Sequence, residues 1–96
     1  MVYGNLSEND IILREKIEEY SKKYENFEVF HVLNNPPKDW TQGSGFITPQ
    51  IIEKYCPIKP SEDSTILLCG PGPMIDAMTK ILKDKFEFKR ENYFSF

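Results

Sequence analysis

Thr65-Ile66-Leu67-Leu68-Cys69-Gly70-Pro71-Gly72-Pro73-Met74-Ile75-Asp76 is the stretch that decides the fold. A short apolar run with a β-branched start reads as a buried strand of a parallel sheet. The run breaks at Gly70, after which Met74, Met78, Ile81 and Leu82 recur at helical spacings. Pro73 suits a first helical position, where a missing N–H costs nothing. A strand turning sharply into a helix puts Cys69 and the turn at the carboxyl edge of a sheet. Open α/β sheets bind their ligands at that edge.

The turn also limits which ligand atoms it can hold. A phosphate cradle needs successive backbone N–H groups, and Pro71 and Pro73 supply none. Asp76, in the first helical turn, complements the helix dipole and repels an anion there. The stretch is better suited to presenting a stiff backbone edge and a thiol to a flat, uncharged group. An ordinary strand–turn–helix with a buried cysteine is the competing reading.

Outward from this stretch, the order is strand, helix, strand, helix, strand, helix, strand. With right-handed crossovers that order builds an α/β fold: a three-layer parallel sheet with helices on both faces, a Rossmann-like arrangement. Met1-Val2-Tyr3 reads as the end of a strand, broken by Gly4-Asn5. Ser7 and Asp10 fit a capping box for a helix with Leu13, Ile17, Tyr20 and Tyr24 on one stripe, ended by Asn26. Phe27 to Leu33 alternates as a strand, and Asn34-Asn35-Pro36-Pro37 stops it. Trp40 lies in the next loop, followed by a mobile Gly43-Ser44-Gly45 segment. Thr48 and Pro49 open a short helix through about Tyr55, closed by Pro57 and Pro60. Phe86 to Asn92 is a charged connection, and Tyr93-Phe94-Ser95-Phe96 is a terminal strand.

Composition excludes several classes of function. A chain of 96 residues makes one small domain or part of one. Its formal charge of −3 gives no electrostatic case for nucleic acid or anionic membrane. Two cysteines, Cys56 and Cys69, make neither a metal cluster nor a disulfide framework, and no metal is expected. No signal peptide is evident, and no apolar run approaches the roughly 20 residues needed to cross a bilayer. His31, within an alternating strand pattern, reads as a packed or surface histidine.

The remaining candidates lie where strands end. Asn34 and Asn35 could hydrogen-bond ribose hydroxyls or simply make the turn before Pro36. Phe46, between Gly45 and Ile47, could be core or a face on which a base stacks. No complete dinucleotide fingerprint exists: Gly43-Ser44-Gly45 and Gly70-Pro71-Gly72 each lack the third glycine in a strand-to-helix setting.

Cys69-Gly70-Pro71-Gly72-Pro73-Met74 resembles the Cys-Gly-Pro-Pro-Pro-Met signature of the NADH–cytochrome b5 reductase family, with Gly72 departing from the usual proline. Tyr3-Gly4-Asn5 and the following Glu8-x-Asp10-Ile11-Ile12-Leu13-Arg14 are similar to that family's Phe-Ala-Asn…Thr-Glu-x-Asp-Ile-Leu-Leu-Arg stretch. Val32-Leu33-Asn34-Asn35-Pro36-Pro37-x-x-Trp40 resembles its fungal and plant members. The likeness runs from Tyr3 to Phe96 in the family's order and spacing.

The resemblance implies the NAD(H)-binding portion of an FAD-dependent oxidoreductase, which passes hydride from NADH to FAD and then electrons to cytochrome b5 or another haem protein. Cys69 is then the residue beside the nicotinamide. Gly70, Pro71 and Met74 line that side, and Asn5, Asn34, Phe46 and the terminal Phe96 complete the cofactor-binding set. Asn34 stands where animal members often carry an acidic residue that favours NADH over NADPH. Residues 1–96 read as a partial domain, without the FAD-binding barrel and Gly-rich turn of the family, so the isolated piece is expected to be inactive. Its uncovered sheet edges and apolar surface are expected to favour self-association. The family setting implies a cytoplasmic-side protein whose intact form is a candidate for anchoring at the endoplasmic reticulum or mitochondrial outer membrane; the 96 residues themselves are expected to be soluble. A stand-alone nucleotide-binding or interaction module, keeping the fold without catalysis, is the alternative.

Overall fold

The computed structural model describes residues 1–56 and 59–96. The chain divides into two compact units, Met1–Pro57 and Ile58–Phe96, each built from parallel strands and helices. The α/β class read from the sequence therefore holds, and every strand pairing among the described residues is parallel.

In the first unit, β1 (Val2–Asn5), β2 (Phe30–Leu33) and β3 (Gly43–Ser44) form one sheet in the order β1-β2-β3. Tyr3 pairs with His31 and Asn5 with Leu33; β3 joins through Val32–Gly43 and Leu33–Ser44. Side chains alternate faces along a strand, so Tyr3 and His31 share one face and Phe30 and Val32 the other. Helix α1 (Arg14–Lys23) covers the first face, where its Arg14 and Glu18 supply the charges felt by His31. Helix α2 (Pro49–Tyr55) covers the second, where Tyr55 stacks on Phe30 with ring centroids 3.6 Å apart. This unit carries helices on both faces of its sheet.

The second unit contains β4 (Ile66–Leu68) and β5 (Tyr93–Ser95), paired as Ile66–Tyr93 and Leu68–Ser95, with helix α3 (Gly72–Asp84) following β4. Leu82, Phe88 and Tyr93 form its core, with Ile66, Leu68 and Phe86 packed against them. On the opposite face, the cross-strand neighbours Leu67 and Phe94 stand exposed. Asn92 is buried and ties the unit together. Its Nδ2 donates to the carbonyls of Ser61 (3.0 Å) and Ser64 (3.1 Å), while its Oδ1 accepts from the Lys89 N–H.

Several boundaries differ from the sequence reading, each for a local reason. The Ser7–Asp10 pairing is present, with Asp10 Oδ2 accepting from the Ser7 N–H and Oγ–H. It closes only a 3₁₀ turn over Glu8–Asp10. Leu13 then adopts a left-handed conformation (φ 57°), so α1 starts at Arg14 and Leu13 is exposed rather than on the buried stripe. Strand β1 continues through Asn5 instead of breaking at Gly4, because Asn5 pairs with Leu33. Strand β2 begins at Phe30, three residues later than the alternation suggested.

Gly43-Ser44, read as mobile loop, is a strand. Gly43 lies so close on the sheet that a Cβ there would stand 2.8 Å from Phe30 Cε1 and 2.9 Å from Val32 Cγ2. Helix α3 starts at Gly72, leaving Pro73 in its first turn. Pro57, read as closing α2, lies outside the described residues.

Candidate functional site

Parallel register in the first unit gathers three of the sequence candidates at the carboxyl edge of its sheet. Because Asn5 pairs with Leu33, the chain leaving β2 runs beside the chain leaving β1. The Asn34 N–H donates to the Asn5 carbonyl (3.1 Å), and the Asn35 N–H donates to the Leu6 carbonyl (2.8 Å). Gly45 follows β3 and donates its N–H to the Leu33 carbonyl at 2.8 Å. Its φ of 85° lies in the left-handed region that glycine enters without strain, and no atom comes within 4 Å of where a Cβ would stand. Phe46, next in the chain, is 80% exposed. The sequence left Phe46 open between core and stacking platform; its exposure excludes core.

Asn34 is exposed, so its amide is available for hydroxyl groups. Asn5 is half-buried, and its Nδ2 is shielded from solvent with no hydrogen-bond partner among the described residues. An unpaired buried donor at a strand's carboxyl end is costly. A ligand acceptor at this edge would satisfy it.

Sequence reasoning did not single out the groups that brace this edge. The Trp40 Nε1–H donates to the Gly43 carbonyl at 2.9 Å. Gln42 Oε1 accepts from the His31 N–H at 2.8 Å, occupying the position a longer β3 would have filled. Arg14 sits with its guanidinium carbon 6.0 Å from the Trp40 ring and pairs with Glu8 (2.6 Å) and Glu18 (3.0 Å). These two carboxylates raise the Arg14 pKa, chiefly through their hydrogen bonds. His31 is 2% exposed, and neither ring nitrogen has a hydrogen-bond partner among the described residues. Burial holds its pKa below the ordinary value, and the Arg14 charge lowers it further against a smaller opposing pull from Glu18. It is a packed, neutral histidine.

In the second unit, β4 ends at Leu68, and Cys69, Gly70 and Pro71 form the turn into α3. The Cys69 thiol is free and exposed, which rules out the buried-cysteine reading. Met74 folds back over the turn: a Cβ on Gly70 would run into the Met74 Cε. The Pro71 carbonyl accepts the first helical bond, from the Ile75 N–H at 3.1 Å. Beside the turn, the Phe96 N–H donates to the Leu68 carbonyl at 2.9 Å, and the Phe96 ring is exposed. Cys69, Gly70, Pro71, Met74 and Phe96 thus share the carboxyl end of β4 and β5. No cluster of three or more metal-ligating side chains occurs among the described residues.

Comparison with known proteins shows the family. A family described as "Oxidoreductase NAD-binding domain" matches residues 1–80. The chain belongs to this family of oxidoreductase NAD-binding domains. It is 44% identical over all 96 residues to NADH-cytochrome b5 reductase 1 of Dictyostelium discoideum. It is 48% identical over 81 residues to NADH-cytochrome b5 reductase 1 of Lodderomyces elongisporus. The chain spans 33% of the first relative's length and 27% of the second's.

Among solved structures, the CS–b5R domains of human Ncb5or in an NAD+ form align over 99% of this chain and 27% of that one. The TM-score is 0.88 and the identity 26%. The cytochrome b5 reductase domain of Ulva prolifera nitrate reductase aligns over 99% of this chain and 36% of its own, with TM-score 0.84 and 28% identity. The resemblance to cytochrome b5 reductases drawn from the Cys69 turn and the Tyr3–Arg14 and Val32–Trp40 stretches is therefore upheld across the chain. Among the described residues, no helix is long and apolar enough to cross a membrane.

Proposed function

We propose that this chain is the NADH-binding portion of an FAD-dependent oxidoreductase of the NADH–cytochrome b5 reductase type. Such an enzyme passes hydride from NADH to FAD and then single electrons to cytochrome b5 or another haem protein. The observation that carries the reading is the exposed Phe46 ring, which follows the left-handed Gly45 at the same carboxyl edge of the sheet as Asn34. A large aromatic left in water at a parallel sheet's carboxyl edge is suited to stacking a base. The unpaired Asn5 Nδ2 and the open space over Gly45 fit a ligand seated there.

Each residue has a separate task. Phe46 stacks the adenine, and Asn34 hydrogen-bonds the adjoining ribose. Asn34 brings no negative charge to repel a 2′-phosphate, so selection against NADPH rests less on charge than an acidic residue would make it. Asn5 offers its amide N–H at the same edge.

At the other edge, the Pro71 and Pro73 rings stiffen a turn with few N–H donors, suited to an uncharged pyridine ring rather than phosphate. Gly70 keeps the backbone low, Met74 supplies a polarizable apolar surface behind it, and the Cys69 thiol borders the nicotinamide. Phe96 flanks the same turn. The flavin, when bound by the rest of the enzyme, supplies the two-electron to one-electron conversion. This chain's residues contribute alignment: hydride transfer forms no bond to Cys69, whose part is to orient the ring.

Phe46→Ala in the full-length protein tests the reading. Base–aromatic stacking is worth about 1–3 kcal/mol, so KM for NADH should rise about fivefold or more while kcat changes little. An unchanged KM would remove Phe46 from the site.

A further inference from the structure

We infer that Trp40 is a positioning residue for the adenosine end of the ligand. It acts through the Gly43 carbonyl on the loop that carries Phe46. This rests on the proposal that Phe46 receives the adenine.

Phe46 has little packing of its own to fix its direction, since 80% of its surface is open. Its aim is set by the backbone that precedes it. Gln42 Oε1 holds its start on the His31 N–H at 2.8 Å, and two anchors lie nearer Phe46: the Gly45 N–H on the Leu33 carbonyl, and the Gly43 carbonyl on the Trp40 indole N–H at 2.9 Å. The two-residue strand β3 between them has only the Val32–Gly43 and Leu33–Ser44 pairings. Glycine at 43 and 45 adds conformational freedom that those anchors must remove.

Trp40 is itself held from two sides. Its N–H donates to the Pro37 carbonyl at 3.1 Å, closing a turn after the two prolines. Its ring lies beside Arg14, which Glu8 and Glu18 grip from either side. A side chain so fixed transmits its position to Gly43. If the indole N–H is lost, the Gly43 carbonyl loses a partner and the Trp40 turn no longer braces β3, although Gln42 still holds the His31 N–H. The Phe46 platform then samples more orientations, each a cost to binding the base and none to the chemistry at the nicotinamide.

The test uses the full-length enzyme with Trp40→Phe, which keeps an aromatic ring and removes the donor. Steady-state kinetics are run with NADH and with reduced nicotinamide mononucleotide, a donor without the adenosine. The expected result is a rise of about threefold or more in KM for NADH, from one lost hydrogen bond, with kcat unchanged. For the mononucleotide, kcat/KM should not change. In a Phe46→Ala background, Trp40→Phe should raise KM for NADH no further.

Equal losses with both donors would mean general damage to the protein and would overturn the inference. An independent, multiplying effect in the Phe46→Ala background would also overturn it. If Phe46→Ala raises KM while Trp40→Phe does not, this inference falls and the adenine reading stands. If neither variant moves KM, the adenine reading itself falls.

Discussion

Gly43→Ala is the perturbation whose cost the structure constrains most tightly. The new methyl would stand 2.8 Å from Phe30 Cε1 and 2.9 Å from Val32 Cγ2, nearer than carbon atoms approach without displacement. Neither neighbour yields easily. The Phe30 ring is stacked on Tyr55 at 3.6 Å with the planes 10° apart, and Val32 is buried and β-branched. The displacement therefore falls on β3, which has two pairings to lose. Overpacking of this kind costs about 1–3 kcal/mol, and alanine returns about 0.4–1 kcal/mol by restricting the unfolded chain.

Central values of about 2 and about 0.7 kcal/mol leave a net loss of about 1.3 kcal/mol, a sizeable part of the roughly 5–15 kcal/mol that holds a domain folded. Urea unfolding followed by the fluorescence of Trp40, the single tryptophan, reports it directly, because that indole bonds the Gly43 carbonyl. The midpoint should fall with the denaturant slope unchanged. Gly72→Ala is the control: no atom lies within 4 Å of its Cβ position, so stability should hold or rise. An unaltered or higher midpoint for Gly43→Ala would refute the claim that β3 is held by close backbone approach.

Asn92→Ala should destabilise the chain by about 2–3 kcal/mol, since it strands the Ser61 and Ser64 carbonyls and the Lys89 N–H. A urea midpoint equal to that of the parent would show that these bonds are replaced without cost. Stability should also fall as pH drops below His31's ordinary value of 6.5. The folded state holds His31 neutral, so below that pH the unfolded chain binds more protons and gains. The benefit is full above 6.5 and is lost toward the lower folded pKa, with a slope of at most about 1.4 kcal/mol per pH unit. His31→Phe should flatten that part of the pH profile; an identical profile would exonerate the histidine.

The strand–turn–helix around Cys69 was legible because its signals are local: an apolar run, a glycine that breaks it, and apolar residues at helical spacing beyond. The same holds for the Thr48 cap, whose Oγ1 accepts from the Ile51 N–H at 3.3 Å. What the sequence hid depends on partners distant along the chain. Gly43-Ser44 is too short to show alternation, and its parallel pairing with Val32 and Leu33, at a close approach to Phe30 and Val32, makes it a strand. Phe88 and Asn92 sit in a charged stretch without periodicity, yet both are buried, one in the core and one bridging to residues about 30 positions away. At the candidate site, residue types were readable at Asn34 and Phe46, while Asn5 was marked only by the family resemblance. Their gathering follows from the Asn5–Leu33 register, and their bracing follows from Trp40 and Gln42. Neither has a sequence period to betray it.

The reading of the Cys69 turn as a ledge for the nicotinamide is tested most directly by rapid mixing of NADH with the full-length Cys69→Ser protein, following flavin reduction. Small losses of alignment at a reacting centre cost rate steeply. The limiting rate should fall about tenfold, while the NADH concentration giving half that rate moves little. A limiting rate equal to that of the parent protein would contradict the account.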